Sequence, residues 1–336
     1  MEFITVRGND YQMGYQIGAY FSSYLKSAIL PYIEKIKDAK ILHLVLELEA
    51  RLKEEFPDGL EEIKGRADGA AIPRDATLLM FFPEILERTE GCTTVFLRKP
   101  DGQLLFSHNE DDKEFTPENT ALIKYDYGSF WVVGYTNAEK LLGSSFAFNS
   151  AGMLFSTNYI YPETTKLEYI SRYVLSRKLM NAKSIPEVKA LLQHMRVASP
   201  FSLNVINKNT LEAYNFEKNN ETYDTKEVTD RYGRANHFIL HPYPDAKERV
   251  SSYFRTNYVQ EKIRTINAET AQLQDVKGIL DYAEEDYYRC VYKEPTKFEK
   301  FSVTVANFSY DSAKDEIEIC DYLTKTCIKK GYSEFE

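Results

Sequence analysis

The hydrophobic period first changes from helical to strand-like at Gly91/Cys92, and this change restricts the fold more than any other feature. Before it, apolar residues recur at three and four. Gly14, Ile17, Phe21, Tyr24, Leu25 and Ala28 make one helical face, and Leu42, Val45, Leu46, Leu48, Leu52 and Phe56 make a second. Pro31 kinks or begins a helix, Pro57-Asp58-Gly59 stops one, a shorter helix covers 59–69, and Asp75 is placed to cap another that runs to Glu87. Gly8, Gly14 and Gly18 read as packing glycines, because no strand precedes them and the G-x-G spacing of a phosphate loop is absent.

After Gly91 the pattern is one of short strands. Val95-Phe96-Leu97 and Leu104-Leu105-Phe106 flank Lys99-Pro100-Asp101-Gly102, a turn signal. Further strands are expected at 120–125, 130–135, 145–148 and 153–157, and hairpins at 201–206 with 211–216 and at 301–308 with 316–322. Ala235–Ile239 is a short strand or its end. Helical pairs fall at 164–180 with 185–195 and at 248–266 with 273–282. Strand pairs flanked by helical pairs predict an α+β fold, an αββα sandwich of two antiparallel sheets with helices outside. The division is a helical segment at 1–91 and a catalytic core at 92–336.

Composition excludes several classes. Lys plus Arg is 42 against 51 Asp plus Glu, a net charge of −9, and no basic stretch suits a nucleic acid. No run approaches the ~18 apolar residues of a membrane span, and no basic n-region with an apolar h-region opens the chain. The 25 Tyr and 20 Phe fit β-rich packing. Cys92, Cys290, Cys320 and Cys327 lack C-x-x-C spacing, which argues for thiols in a reduced, cytoplasmic setting and against zinc.

The chemistry concentrates in the first hairpin. Gly91-Cys92-Thr93-Thr94 opens it and His108-Asn109-Glu110-Asp111-Asp112 closes it. If Arg98 sits opposite Gln103, Cys92 falls opposite Asn109, beside three carboxylates. A Cys nucleophile needs a base. A papain-like arrangement would use His108 or His237. Alternatively, cleavage before Cys92 frees an α-amine whose pKa of about 7.7–8.0 suits it as base. The acidic run also offers hard oxygen ligands, but strand alternation lets at most three converge; the expectation is no metal.

Gly-Cys-Thr-Thr, a turn and Asn-x-Asp together resemble the acyl-coenzyme A:6-aminopenicillanic acid acyltransferase family of N-terminal nucleophile hydrolases. The resemblance continues through Gly14-Tyr15-x-x-Gly18, Phe148-Asn149-Ser150-Ala151-Gly152-Met153, Ser199-Pro200-Phe201, Ala235-Asn236-His237 and Phe308-Ser309-Tyr310-Asp311. It implies self-processing at Gly91–Cys92, no cofactor, and amide hydrolysis or acyl transfer through a Cys92 thioester. The substrate would be a small N-acyl or aminoacyl amide, with acyl-CoA as the donor in the transfer reaction.

By the same resemblance, Cys92 is the nucleophile and Asp111 the aspartate that holds its amine. Asn236 is an oxyanion donor, and Asn158 matches an asparagine used similarly in the related bile-salt and penicillin V hydrolases. Asn109, Glu110 and Asp112 are assigned to substrate binding, the carboxylates for a cationic amine, as in members that hydrolyse β-alanyl amides. Where acyltransferase relatives carry an arginine near the last hairpin, this chain has Glu299-Lys300-Phe301-Ser302. Two alternatives stand beside this: a papain-like hydrolase that never cuts itself, and a processing-dead binding protein.

Overall fold

A computed structural model describes residues 1–86, 91–162, 165–240, 250–298 and 301–336. Lys300 and the start of the helix expected from Glu248 lie outside these residues. Strand β1 (Glu2–Arg7) leads into helices α1 (Asp10–Tyr20), α2 (Ser22–Ala28), α3 (Leu30–Lys35), α4 (Ala39–Glu55), α5 (Pro57–Ala70), α6 (Arg74–Met80) and α7 (Pro83–Leu86). Then come β2 (Gly91–Arg98), β3 (Leu104–Asp112), β4 (Thr120–Asp126), β5 (Trp131–Asn137), β6 (Phe146–Asn149) and β7 (Met153–Tyr159). Helices α8 (Arg172–Leu179) and α9 (Ile185–His194) separate these from β8 (Phe201–Asn207), β9 (Glu212–Lys218), β10 (Tyr223–Glu227) and β11 (Arg231–Arg234). Helices α10 (Val250–Thr265) and α11 (Leu273–Ile279) precede the closing β12 (Val303–Asp311), β13 (Glu316–Asp321) and β14 (Thr326–Gly331).

Among the described residues the strands form two sheets, ordered β1-β4-β5-β6-β7-β8-β9-β10 and β11-β2-β3-β12-β13-β14. β1 runs parallel to β4, whereas β2 and β3 are antiparallel. Three apolar layers hold the sandwich. Ile123, Val132, Phe155 and Leu203 of the larger sheet pack under Met13, Ile17, Leu52 and Leu175 of the helices. Phe96, Phe106, Phe146, Phe148 and Phe308 fill the space between the sheets. Val95, Leu97 and Leu105 meet Val259, Ile263 and Val276 of α10 and α11 on the outer face of the smaller sheet. The structure is therefore the expected αββα sandwich.

Several local expectations are corrected. Pro31 begins a helix, one of the two expectations for it, and α4 ends before Pro57 as expected, but the next helix starts at Pro57 rather than at 59, in the first turn where a missing N–H costs nothing. Asp75 lies inside the first turn of α6, which starts after Pro73, so it is no cap. The helix expected from 164 starts at Arg172, because Ser171 Oγ caps it by accepting the Tyr173 N–H. Cys320 and Cys327, read as thiols, are joined in a disulfide across β13 and β14.

Candidate active site

The first hairpin carries one more residue than expected. Lys99 N–H bonds Gln103 O at 2.7 Å, Gly102 N–H bonds Lys99 O at 2.9 Å, and Gly102 sits at φ +88°. A left-handed glycine after a tight turn adds an unpaired residue to one strand. Arg98 therefore pairs with Leu104 rather than Gln103, and Cys92 faces Glu110 rather than Asn109. One residue of slip exchanges the faces. Cys92, Thr94, His108 and Glu110 point between the sheets with Phe96 and Phe106, whereas Gly91, Thr93, Asn109 and Asp111 point toward the helices with Val95 and Leu105.

On the inner face, Cys92 Sγ donates to Glu110 Oε2 at 3.3 Å, and His108 Nε2 lies 3.5 Å from that oxygen. His108 Nδ1 is 2.8 Å from Thr94 Oγ1, which also donates to Asn158 Oδ1 at 2.9 Å. Asn204 Nδ2 donates to the same Asn158 oxygen at 2.8 Å. Both donors fix the amide's orientation, so Asn158 presents Nδ2 as a buried donor without a hydrogen-bond partner among the described residues. Burial pushes the His108 imidazole down to about 3, against some help from the Asp111 charge. The ring is neutral under ordinary conditions and unsuited to a resting thiolate–imidazolium pair. Cys92, His108 and Glu110 are also a donor set zinc accepts; the thiol–carboxylate hydrogen bond accounts for the closeness of two of the three.

The outer face holds the main chain of the nucleophile. Arg255, from α10, reaches Cys92 O at 2.6 Å, Thr93 Oγ1 at 2.8 Å and Asn236 Oδ1 at 2.7 Å. Asn236 lies two residues past β11, whose Arg234 pairs with Thr94, and its Oδ1 accepts the Cys92 N–H at 3.0 Å. Asn236 Nδ2 is engaged by Tyr159 O at 2.8 Å. Asp111 accepts from Lys293 Nζ at 2.9 Å and Thr304 Oγ1 at 2.8 Å, with Arg255 3.7 Å away. Burial pulls the Lys293 amine down, and the Asp111 charge partly restores it. Asp111 pairs with Gly91 across the ladder, and a Cβ on Gly91 would lie 3.2 Å from its carboxylate.

The structure thus gathers Gly91, Cys92, Glu110, Asp111, Asn236 and, through Thr94, Asn158. It does not bring the other two substrate-binding candidates to the thiol. Asn109 bonds Leu280 O and Asn307 on the outer face. Asp112 is ion-paired with Lys140. His237 Nδ1 sits 2.8 Å from Ser252 Oγ and its ring contacts Tyr253.

The profile of the acyl-coenzyme A:6-aminopenicillanic acid acyl-transferase family matches residues 97–321. The chain belongs to this family. Among its relatives is a beta-alanyl-dopamine/carcinine hydrolase of Drosophila melanogaster, 21% identical over 94% of this chain and 91% of that protein. Another is the 40 kDa form of the acyl-coenzyme A:6-aminopenicillanic-acid-acyltransferase of Emericella nidulans, 26% identical over 74% of this chain and 72% of that protein. A penicillin V acylase from Agrobacterium tumefaciens overlays with a TM-score of 0.47 at 10% identity, over 72% of this chain and 87% of that one. A conjugated bile acid hydrolase from Clostridium perfringens gives 0.45 at 12% identity, over 72% and 93%. Like its family, this chain is an acyl-transferring enzyme.

Two residues of this family member's site escaped the sequence, Arg255 and Lys293. Arg255 had a visible signal. Ser252, Arg255 and Thr256 continue the buried stripe of Val259 and Ile263, and a charge on a helix's inward stripe calls for a partner. Lys293 lies in irregular chain and had none.

Proposed function

We propose that the chain cuts itself between Gly91 and Cys92, and that mature Cys92 then cleaves or transfers the acyl group of a linear amide through a thioester. The grip on the Cys92 main chain carries this reading. Its carbonyl is bound by Arg255 and its N–H by Asn236 Oδ1, while the thiol lies in the same strand interior. An acceptor already on that nitrogen is what a free α-amine at this position needs in order to be oriented. Once released, the amine, with an ordinary pKa of about 7.7–8.0, takes the thiol proton during turnover.

Asn158 Nδ2 is the donor for the tetrahedral oxyanion, since its oxygen is already occupied and its nitrogen is not. Asn236 can add a second donor only by leaving Tyr159. Asp111, tied to Lys293 and Thr304, fixes the charge balance around the new terminus. The two curated relatives suggest the substrates to offer: β-alanyl amides of amines, and an acyl-CoA with an amine acceptor.

Intact-mass spectrometry tests the reading. Wild type should give two fragments meeting at Gly91/Cys92, Cys92→Ala a single chain, and only the cleaved form should turn over the amide panel. A Cys92→Ala chain cut at that bond, or an uncut wild type that hydrolyses amides, would falsify it.

A further inference from the structure

Self-cleavage poses a problem that turnover does not. Before the Gly91–Cys92 bond breaks, Cys92 has an amide nitrogen, and an amide is not a base. The thiol proton needs another acceptor. Glu110 is the cross-strand partner of Cys92 and already accepts from Sγ at 3.3 Å. Asp111 is the other nearby carboxylate, but it faces the helices and is held by Lys293 and Thr304.

The hydrogen-bond network also defines what stands behind Glu110. The Thr94 hydroxyl has one proton, with Asn158 Oδ1 at 2.9 Å and His108 Nδ1 at 2.8 Å as the claimants. Giving it to Asn158 makes His108 Nδ1 the donor to Thr94 and leaves a lone pair on Nε2. That nitrogen is fully buried, has no hydrogen bond of its own among the described residues, and lies 3.5 Å from Glu110 Oε2. The carboxyl of Glu110 therefore lies between the thiol and a ring nitrogen whose lone pair can accept a hydrogen bond.

We propose that Glu110 is the proton carrier of the self-cleavage step, with His108 as the positioning residue whose Nε2 accepts from the Glu110 carboxyl while it carries the proton. This rests on the self-processing reading above. Glu110 Oε2 takes the proton from Sγ as the bond from Sγ to the Gly91 carbonyl carbon forms. It returns that proton to the Cys92 nitrogen as the C–N bond breaks. The products are a Gly91 thioester on Cys92, a free α-amine, and Glu110 as carboxylate again. Water then hydrolyses the thioester to the Gly91 carboxylate and the Cys92 thiol, releasing one proton. Turnover thereafter relies on the α-amine, so maturation and catalysis use different bases.

The test is a time course of self-cleavage, following freshly translated full-length chain by mass. Glu110→Gln should slow cleavage ~10²-fold or more, the scale of a positioned acid–base group. Glu110→Asp should fall between it and wild type, and His108→Gln should slow cleavage less than Glu110→Gln. Added formate should accelerate cleavage of Glu110→Ala, because a small carboxylate can replace a proton carrier and cannot replace a packing side chain. Cleavage of Glu110→Gln at the wild-type rate overturns this inference alone. So does an equal loss in Glu110→Gln and Glu110→Asp with no formate response, which would mark Glu110 as structural. A wild-type chain that never cleaves removes the self-processing reading, and this inference with it.

Discussion

At the scale of single residues, the site depends on side chains that each satisfy several acceptors or donors. Arg255 binds Cys92 O, Thr93 Oγ1 and Asn236 Oδ1 together. A lysine has the charge but not the planar fork. Arg255→Lys should therefore misplace the Cys92 main chain and lower kcat by about 10²-fold, the cost of a small misplacement near the chemistry; unchanged kcat would mean that Arg255 only packs. Asn158→Ala should cost ~10²–10³ in kcat if its free Nδ2 meets the oxyanion, measured on mature enzyme with KM followed alongside. His108 makes a prediction about stability. Its folded value of about 3 lies below the ordinary 6.5, with burial the main cause. The unfolded chain takes up this proton near pH 6.5, whereas the folded chain does not until about 3. The fold therefore keeps this stability above pH 6.5 and loses it on acidification toward 3, by up to about 1.4 kcal/mol per pH unit. Denaturant titrations across that window should show a flatter slope for His108→Gln; an equal slope would mean the ring is not buried. That Cys92, Asp111 and Asn236 lie together was legible because each belongs to a short motif of the family the sequence resembles. Arg255 and Lys293 were less so, because they reach Cys92 and Asp111 across 163 and 182 residues of chain, and periodicity says which face is buried, not what it meets.

At the scale of elements, the clearest packing device is the crossing of α1 and α5. Gly14 and Gly18 of one helix lie against the other, where added Cβ atoms would sit 2.1 Å from the Glu62 and Arg66 carbonyl oxygens. Gly65 and Gly69 of α5 return the contact on Tyr11 and Tyr15. Gly18→Ala should thus separate the helices and cost about 1–3 kcal/mol or more, the range for overpacking, visible as a lowered Tm. An unaltered Tm would mean the crossing is looser. The packing role of Gly14 and Gly18 was readable from sequence, but their partner helix was not. The strands divide in a similar way. The inner strands were expected, and β1, β10, β11 and β14 were not placed; the short strand expected at Ala235–Ile239 falls just past β11. These four are the edges of the two sheets. An edge lacks a neighbour on one side and often carries polar or charged residues that blunt further pairing. Tyr223–Glu227 and Thr326–Gly331 contain little else. This hides β10, β11 and β14, whereas β1, with Phe3, Ile4 and Val6, has an apolar pattern that was simply not placed. The register of the first hairpin was missed for another reason: a Pro-Asp-Gly turn announces itself, while the extra residue contributed by Gly102 does not.

At the scale of the whole molecule, the layer order was legible because helical and strand pairs alternate in blocks. The Cys320–Cys327 bond was not, since its second strand is one of the edges. It closes a loop of sequence separation 7, for which loop-closure entropy gives about 2 kcal/mol. Cys327→Ser should lose that stability under non-reducing conditions, and dithiothreitol should abolish the difference from wild type; equal stabilities without reductant would mean the bond contributes nothing. The placement of residues 1–86 has the widest consequence. This segment supplies β1 to the larger sheet, beside β4, and Met13, Ile17, Leu25, Val45, Leu48 and Leu52 to the core over it. The Met1 amine reaches Thr324 and Thr326 at the other end of the chain. A cut at Gly91–Cys92 would therefore release nothing. It would turn one polypeptide into two subunits, with the front piece a permanent partner rather than a discarded leader. Stability of the mature protein would then follow mass action and fall on dilution, and the two pieces should co-elute in size-exclusion chromatography until a denaturant is added.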